Sequence, residues 1–268
     1  MILAETDIAA LAGELDAAER SRIQIPLISG RFPDADMGDA YRIQERWVSL
    51  KEAAGRRRIG WKIGLTSRAM QAALQIDTPD SGILFDDMAF QDGDTVPEDR
   101  FIQPRIEAEI AFVLKAPLKG ATVGITDVLN ATDYILPALE ILDTRVQRKD
   151  PETGQMRNVI DTIADNAANA GIVTGGRPMR PLDMDMRWIG ACVSRNGVVE
   201  ETGLGAGVLN HPAMGIVWLV RRLDTLGMGL QAGEVVLSGS FIRPVETVHG
   251  DTITADFGAA GTVSIYFR

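Results

Sequence analysis

The sequence predicts an α+β protein, with a mainly β, mixed-sheet core behind a helical N-terminal region. Three features predict it. Ile8, Leu11, Leu15 and Ala18 recur at helical spacing. From about residue 59 that period gives way to short β-like runs separated by Gly, Pro and Asp turns. Strands and helices do not alternate regularly, which disfavours a doubly wound parallel sheet. The 268 residues divide accordingly into a helical region, 1–58, and a β-rich domain, 59–268.

In chain order, the first helix is followed by a break at Gly30 and Pro33, and Asp36 can cap a second helix. Ala40, Ile43, Trp47 and Leu50 give that helix one apolar stripe. Arg56-Arg57-Arg58 reads as its solvated C-terminal end, where cations suit the helix dipole. Strands are expected at Gly60 to Gly64, Arg105 to Leu114, Trp188 to Arg195, Glu234 to Phe241 and Thr262 to Phe267. Helical stretches interrupt them near Val128 to Ala131 and from Pro212 to Leu226, with His211 helping to start the latter.

Composition narrows the possible functions. Hydrophobic residues make up 46% and the net charge is −10, an ordinary globular balance that suits neither nucleic acid nor an anionic membrane as partner. One cysteine, Cys192, excludes an intrachain disulfide and a cysteine zinc cage, and two histidines exclude a three-histidine metal site within the chain. No transmembrane run and no signal peptide are visible, so cytoplasmic residence is expected by default. Gly203-Leu-Gly-Ala-Gly207 does not fit the dinucleotide fingerprint, because its third glycine comes one residue early. No phosphate-binding loop or serine-hydrolase elbow is present.

The chemistry concentrates in Arg105-Ile-Glu-Ala-Glu-Ile-Ala-Phe112. Strand side chains alternate, so Ile106, Ala108 and Ile110 face one way while Glu107 and Glu109 share the other face, roughly 7 Å apart at the backbone. An E-x-E pair alone is ordinary on a solvated face. Two like charges that close gain from a cation between them, and oxygen ligands suit Mg²⁺, Mn²⁺ or Ca²⁺. Glu140 lies in the apolar run Pro137 to Asp143, where an unpaired carboxylate is costly. It is either salt-bridged or the third carboxylate on the same ion.

Lys62, flanked by Trp61 and Ile63, is either a snorkelling surface lysine or a buried one whose pKa is lowered towards acid/base use. Gly64-Leu65-Thr66-Ser67 resembles a turn into a helix starting near Arg68, and its amides could hold a carboxylate. Asp80, within Asp77 to Gly82, reads as a turn cap. Asp165, Asn166 and Asn169 suggest close packing around something polar, or a tight loop.

These segments in this order resemble the hydratase and decarboxylase family of meta-cleavage pathways, within the fumarylacetoacetate hydrolase-like superfamily. The matching segments are Lys62-Ile-Gly-Leu-Thr-Ser, Pro104-Arg-Ile-Glu-Ala-Glu-Ile-Ala, Ala131 to Glu140, Asp165-Asn-Ala and Leu209-Asn-His-Pro. Together they span essentially the whole chain. The resemblance implies a fold like the C-terminal domain of that superfamily and Mg²⁺ (or Mn²⁺) held by Glu107, Glu109 and Glu140. It implies acid/base work for Lys62 and Asp80, and a homo-oligomer such as a decamer of pentameric rings.

The implied reaction is hydration of an unsaturated 2-oxo acid, with decarboxylation on the same scaffold as the alternative. Gly64, Leu65 and Thr66 are the expected substrate-binding backbone. Asp150-Pro-Glu-Thr, Asp165 to Gly171 and Gly239-Ser-Phe-Ile-Arg-Pro244 point within the family to a dicarboxylate substrate. Arg243 is then the expected partner of its second carboxylate.

Overall fold

The computed structural model describes residues 3–68, 71–72, 76 and 78–268. Helix α1 (Glu5–Ser21) buries Ile8, Leu11, Ala12, Leu15 and Ala18, the stripe its spacing predicts. A single turn, α2 (Ile28–Arg31), leads to α3 (Met37–Ala53). The Asp36 carboxylate caps α3 by accepting from the Asp39 amide at 2.9 Å. Its inward face carries Ala40, Ile43, Gln44, Trp47, Val48 and Lys51, with Leu50 only half-buried.

The arginine run does not end this helix. Strand β1 (Arg58–Gly64) already begins at Arg58, and the three guanidiniums form ion pairs with Asp87, Asp86 and Glu52. Local carboxylates hold the run rather than a helix terminus.

Two mixed sheets follow. The larger is built from β1, β2 (Asp80–Phe85), β3 (Ala89–Gln91), β5 (Arg105–Leu114), β6 (Thr132–Leu142), β7 (Asn169–Thr174), β10 (Val235–Leu237) and β11 (Val245–Glu246). Its order is β2-β1-β10-β5-β6-β7-β3, with β11 also on β5. The smaller orders β4 (Thr95–Val96), β13 (Thr262–Phe267), β12 (Thr252–Asp256), β8 (Gly190–Arg195) and β9 (Val198–Leu204). Helices α4 (Ile125–Ala131), α5 (Val159–Ala164) and α6 (Ala213–Thr225) pack around them. One contiguous core runs from Ile8 and Trp47 through Phe85 and Phe112 to Ile265, so the N-terminal helices share the core of the sheets.

Two expected strands are shorter than their apolar runs. Trp188 belongs to a helical turn, and β8 starts at Gly190. Strand β10 stops at Leu237, where the chain bulges; the Ser238 and Phe241 amides still donate to the Ile110 and Ala108 carbonyls of β5, and β11 resumes the ladder opposite Ile106. Gly239 sits in that bulge with φ +114°, and a Cβ there would lie 2.2 Å from Thr66 Oγ1.

The Asp165 to Asn169 segment is both a tight loop and a polar packing site. Asn166, Ala167 and Ala168 all take left-handed backbone, at roughly 1–2 kcal/mol each. The Asn166 side chain compensates by accepting from the Ile83 amide at 2.8 Å and donating to the Ile83 carbonyl at 3.0 Å. Asp165 takes the Arg145 guanidinium in a fully buried pair beside the Trp47 ring. Breaking a buried pair strands its partner's charge. We predict that Asp165→Asn lowers unfolding stability by about 3–5 kcal/mol, read from the urea midpoint, whereas Arg57→Ala at an exposed pair moves it little. Equal effects would contradict the structural role of Arg145–Asp165.

Candidate functional site

Sheet register assembles the site. Glu107 on β5 lies directly opposite Glu140 on β6, and Glu109 lies one pleat along, opposite Ala138. On the other edge, Ala111 pairs with Leu237 of β10, which pairs with Lys62 of β1. Gly64 of β1 pairs with Asp80 of β2. Residues in register, or two apart on one strand, share a face. Lys62, Asp80, Glu107, Glu109 and Glu140 therefore all project from one side of one sheet. That side has an apolar floor of Leu84, Ala111, Ala138, Ile172 and Leu237. Ile106, Ala108, Ile110 and Phe112 go to the opposite side and the main core, as the alternation requires.

One carboxylate oxygen from each of Glu107, Glu109 and Glu140 lies within 4.8 Å of the others. Glu109 and Glu140 are completely buried, and so nearly are Lys62 and Asp80. Few donors meet these oxygens. The Gly239 amide donates to Glu109 Oε2 at 2.8 Å. Glu109 Oε1, both Glu140 oxygens and Asp80 Oδ1 are buried without a hydrogen bond. Lys62 Nζ lies 3.3 Å from Glu140 Oε1, close enough to pair as ions but not aligned as a hydrogen bond. Gly64 leaves room for Asp80, since a Cβ there would fall 2.2 Å from Asp80 Oδ1.

Burial first, then the Glu140 charge, pushes Glu107 up to about 8. The same two causes raise Glu109 well above the usual carboxylate range, and burial raises Glu140 despite Lys62. Burial also raises Asp80, with Lys62 opposing. Burial pulls Lys62 down, but Glu140, Asp80, Glu107 and Glu109 together outweigh it and raise its pKa. The expectation of a lysine lowered by burial is thus reversed by the carboxylates around it. Three carboxylates facing one ammonium, with orphaned buried oxygens, form an oxygen donor set that fits one hard divalent cation.

The charged cluster opens onto a cavity of about 440 Å³, with Lys62, Asp80 and Glu107 in its wall. Leu65 turns the chain out of β1 with φ +55°, so Gly64, Leu65, Thr66 and Ser67 also line it. The expected helix after Ser67 is seen at Arg68, Gln71 and Ala72; residues 69–70, 73–75 and 77 lie outside the described ones. A larger hollow of about 990 Å³ lies elsewhere, around Trp188 and Phe257, and holds no such cluster.

Arg243 is not part of this cavity. Ser240, Ile242 and Pro244 line it while Arg243 points out, 78% exposed and paired with Glu201 at 2.6 Å. Alternation along the bulge aims the arginine away from the site. His211 also lies outside the cavity wall, and its Nδ1 accepts from the Ala213 amide at 3.1 Å, at the start of α6.

The sequence reading missed the supports of Asp80. The Ser81 amide donates to the Tyr41 hydroxyl at 3.2 Å, and the Arg222 guanidinium stacks 3.6 Å from the Tyr41 ring. Gln44 Nε2 donates to the Ser81 carbonyl at 2.9 Å. Tyr41, Gln44 and Arg222 come from helices far from β2 in sequence and carry no local motif. It missed Arg105 and Arg157 in the cavity wall as well. Arg105 was within reach, since it stands two residues before Glu107 on the same strand face.

No family model matches the chain. It is 54% identical over 257 residues to the 2-oxo-hept-4-ene-1,7-dioate hydratase of Escherichia coli, covering 96% of both chains. It is 39% identical to the 2-keto-4-pentenoate hydratase of Paraburkholderia xenovorans, covering 96% of this chain and 93% of that one. The 4-oxalocrotonate decarboxylase from Pseudomonas putida G7 superposes with a TM-score of 0.93 at 35% identity, covering 99% of both chains. It was solved with magnesium and adipate and also with calcium and acetate. Full-length likeness at these identities places the chain in the hydratase and decarboxylase family of the fumarylacetoacetate hydrolase-like superfamily.

Proposed function

We propose that the chain is a hydro-lyase that hydrates 2-oxo-hept-4-ene-1,7-dioate to 4-hydroxy-2-oxo-heptane-1,7-dioate in the breakdown of 4-hydroxyphenylacetate through homoprotocatechuate. The observation that carries the chemistry is the trio Glu107, Glu109 and Glu140, in which Glu109 Oε1 and both Glu140 oxygens are buried without a hydrogen bond beside a lysine and a fourth carboxylate. The substrate is favoured by 54% identity to a hydratase of that name, against 39% to a 2-keto-4-pentenoate hydratase. The reading also makes the enzyme a cytoplasmic homo-oligomer, which suits a chain in which no described helix is long and apolar enough to cross a membrane.

In this reading Glu107, Glu109 and Glu140 hold one Mg²⁺ (or Mn²⁺), which when bound supplies Lewis acidity to the ketone of a 2-oxo acid. The backbone of Gly64, Leu65 and Thr66 positions the 2-oxo acid head along the cavity wall. Asp80 Oδ1 has no other partner and takes a proton from C3, as the electron pair of that C–H bond moves towards the ketone oxygen. A proton returned at C5 brings the double bond into conjugation with the ketone. Water then adds its hydroxyl at C4 and a proton at C3. Lys62 serves as the ammonium that offsets developing negative charge and carries protons. Its own charge follows that of the carboxylates beside it, which are the proposed ligands.

Three outcomes check this. Purified protein with Mg²⁺ consumes the seven-carbon diacid with loss of its ultraviolet absorbance and no CO₂; faster CO₂ release from 4-oxalocrotonate would make it a decarboxylase instead. Glu109→Gln weakens Mg²⁺ binding and lowers turnover roughly 10²–10⁴-fold, whereas Lys62→Ala binds Mg²⁺ and loses turnover on a similar scale. Undiminished turnover of Glu109→Gln in metal-free buffer removes the metal from the mechanism.

The third outcome follows from the raised carboxylates. Their stabilising contribution is lost as pH climbs from their ordinary 4.5 through the folded value, about 8 for Glu107. The metal-free protein is therefore less stable at pH 9 than at pH 6. Binding Mg²⁺ releases that repulsion, so the rise in Tm it causes is larger at pH 9, and Glu107→Gln flattens the difference. A Tm gain independent of pH contradicts a ligand role for the raised carboxylates.

A further inference from the structure

With Arg243 turned outward, the cavity wall still carries a cation positioned for a second carboxylate. Arg157 lines the same cavity as Lys62, Asp80 and Glu107. It stands just before α5, whose N-cap is Asn158. Its backbone is tied down, with its amide donating to the Arg148 carbonyl at 3.0 Å. Its side chain is fixed at one corner, where Nη1 donates to Thr144 Oγ1 at 2.9 Å. Among the described residues no carboxylate pairs with it, in contrast to two neighbouring guanidiniums. Arg145 has Asp165 and Arg105 has Glu246. Burial depresses the Arg157 pKa, and Arg105 and Arg145 add to this against Asp165 and Asp161. A half-buried guanidinium that is anchored but not neutralised, in a cluster of like charge, gains from an anion brought by a ligand.

We propose that Arg157 is the specificity-determining residue of this site and holds the second carboxylate of a 2-oxo dicarboxylate whose 2-oxo acid head lies at Glu107, Glu109 and Glu140. This rests on the reading of the trio as a divalent-cation site for that head. Thr144 acts as the positioning residue, leaving the remaining N–H groups of the fork free for a two-pronged contact. Arg105 has the same charge but is engaged with a solvent-exposed glutamate.

The test uses saturated analogues that bind without turning over. Calorimetry in Mg²⁺ compares 2-oxoheptanedioate with 2-oxoheptanoate on the full-length protein and on Arg157→Gln, Arg157→Lys and Arg105→Gln. The expected result is wild-type binding of the diacid at least tenfold tighter than of the monoacid. Arg157→Gln weakens the diacid at least tenfold and the monoacid less than threefold. Arg157→Lys, which keeps the charge and loses the fork, falls between. A diacid preference that survives Arg157→Gln, that disappears instead in Arg105→Gln, or that wild type never has overturns the assignment while the cation site stands. Absence of Mg²⁺-dependent binding of either analogue to wild type sinks the cation-site reading itself. Unchanged Mg²⁺ affinity in Arg157→Gln shows that the variant is folded.

Discussion

The site depends on an electrostatic imbalance held in place by strand pairing. Three carboxylates and Asp80 share a buried sheet face with a single ammonium, and Glu107 and Glu140 stand directly opposite each other across the β5–β6 ladder. Like charges in that position destabilise a sheet. The pairing survives because the other face of the same ladder buries Ile106, Ile110, Phe112, Leu139 and Ile141 in the main core. A one-residue slip would exchange the two faces. The hydrophobic pattern therefore fixes the register, and the register imposes the carboxylate cluster that a divalent cation would relieve.

Around this cluster the fold departs from regular structure at several points, each beside the cavity. The Ser238–Pro244 bulge gives Glu109 one of its few donors, through Gly239. The left-handed turn at Leu65 opens the end of β1, and the three left-handed residues 166–168 close the far wall next to β2. Such departures cost free energy that the surrounding core must over-determine. The Asp165–Arg145 pair beneath Trp47 does this for the 166–168 loop and ties it to the N-terminal helices.

The sequence made legible whatever depends on local periodicity. The amphipathic stripes of α1 and α3, the Asp36 cap and the shared face of Glu107 and Glu109 all follow from spacing alone. Glu140 needed the register of β6 against β5, and the apolar run around it conceals an eleven-residue strand. For Lys62 the local pattern leaves surface and burial both open, and the buried alternative carries the opposite direction of pKa change, because its four acidic neighbours come from three other strands. The outward aim of Arg243 was hidden for a similar reason: the parity of a bulge cannot be read before the bulge is seen. Arg157 and the Tyr41–Arg222 support of Asp80 lie in segments whose only local signal is a single cation or aromatic ring.

The measurement that bears most directly on the central claim is anomalous diffraction from a crystal equilibrated with Mn²⁺ at neutral pH. One strong peak is expected, with an oxygen from each of Glu107, Glu109 and Glu140 among its ligands and Lys62 Nζ outside the coordination sphere. A Mn²⁺ bound elsewhere, or an ion-free cluster whose carboxylates have turned to protein donors, would contradict the account.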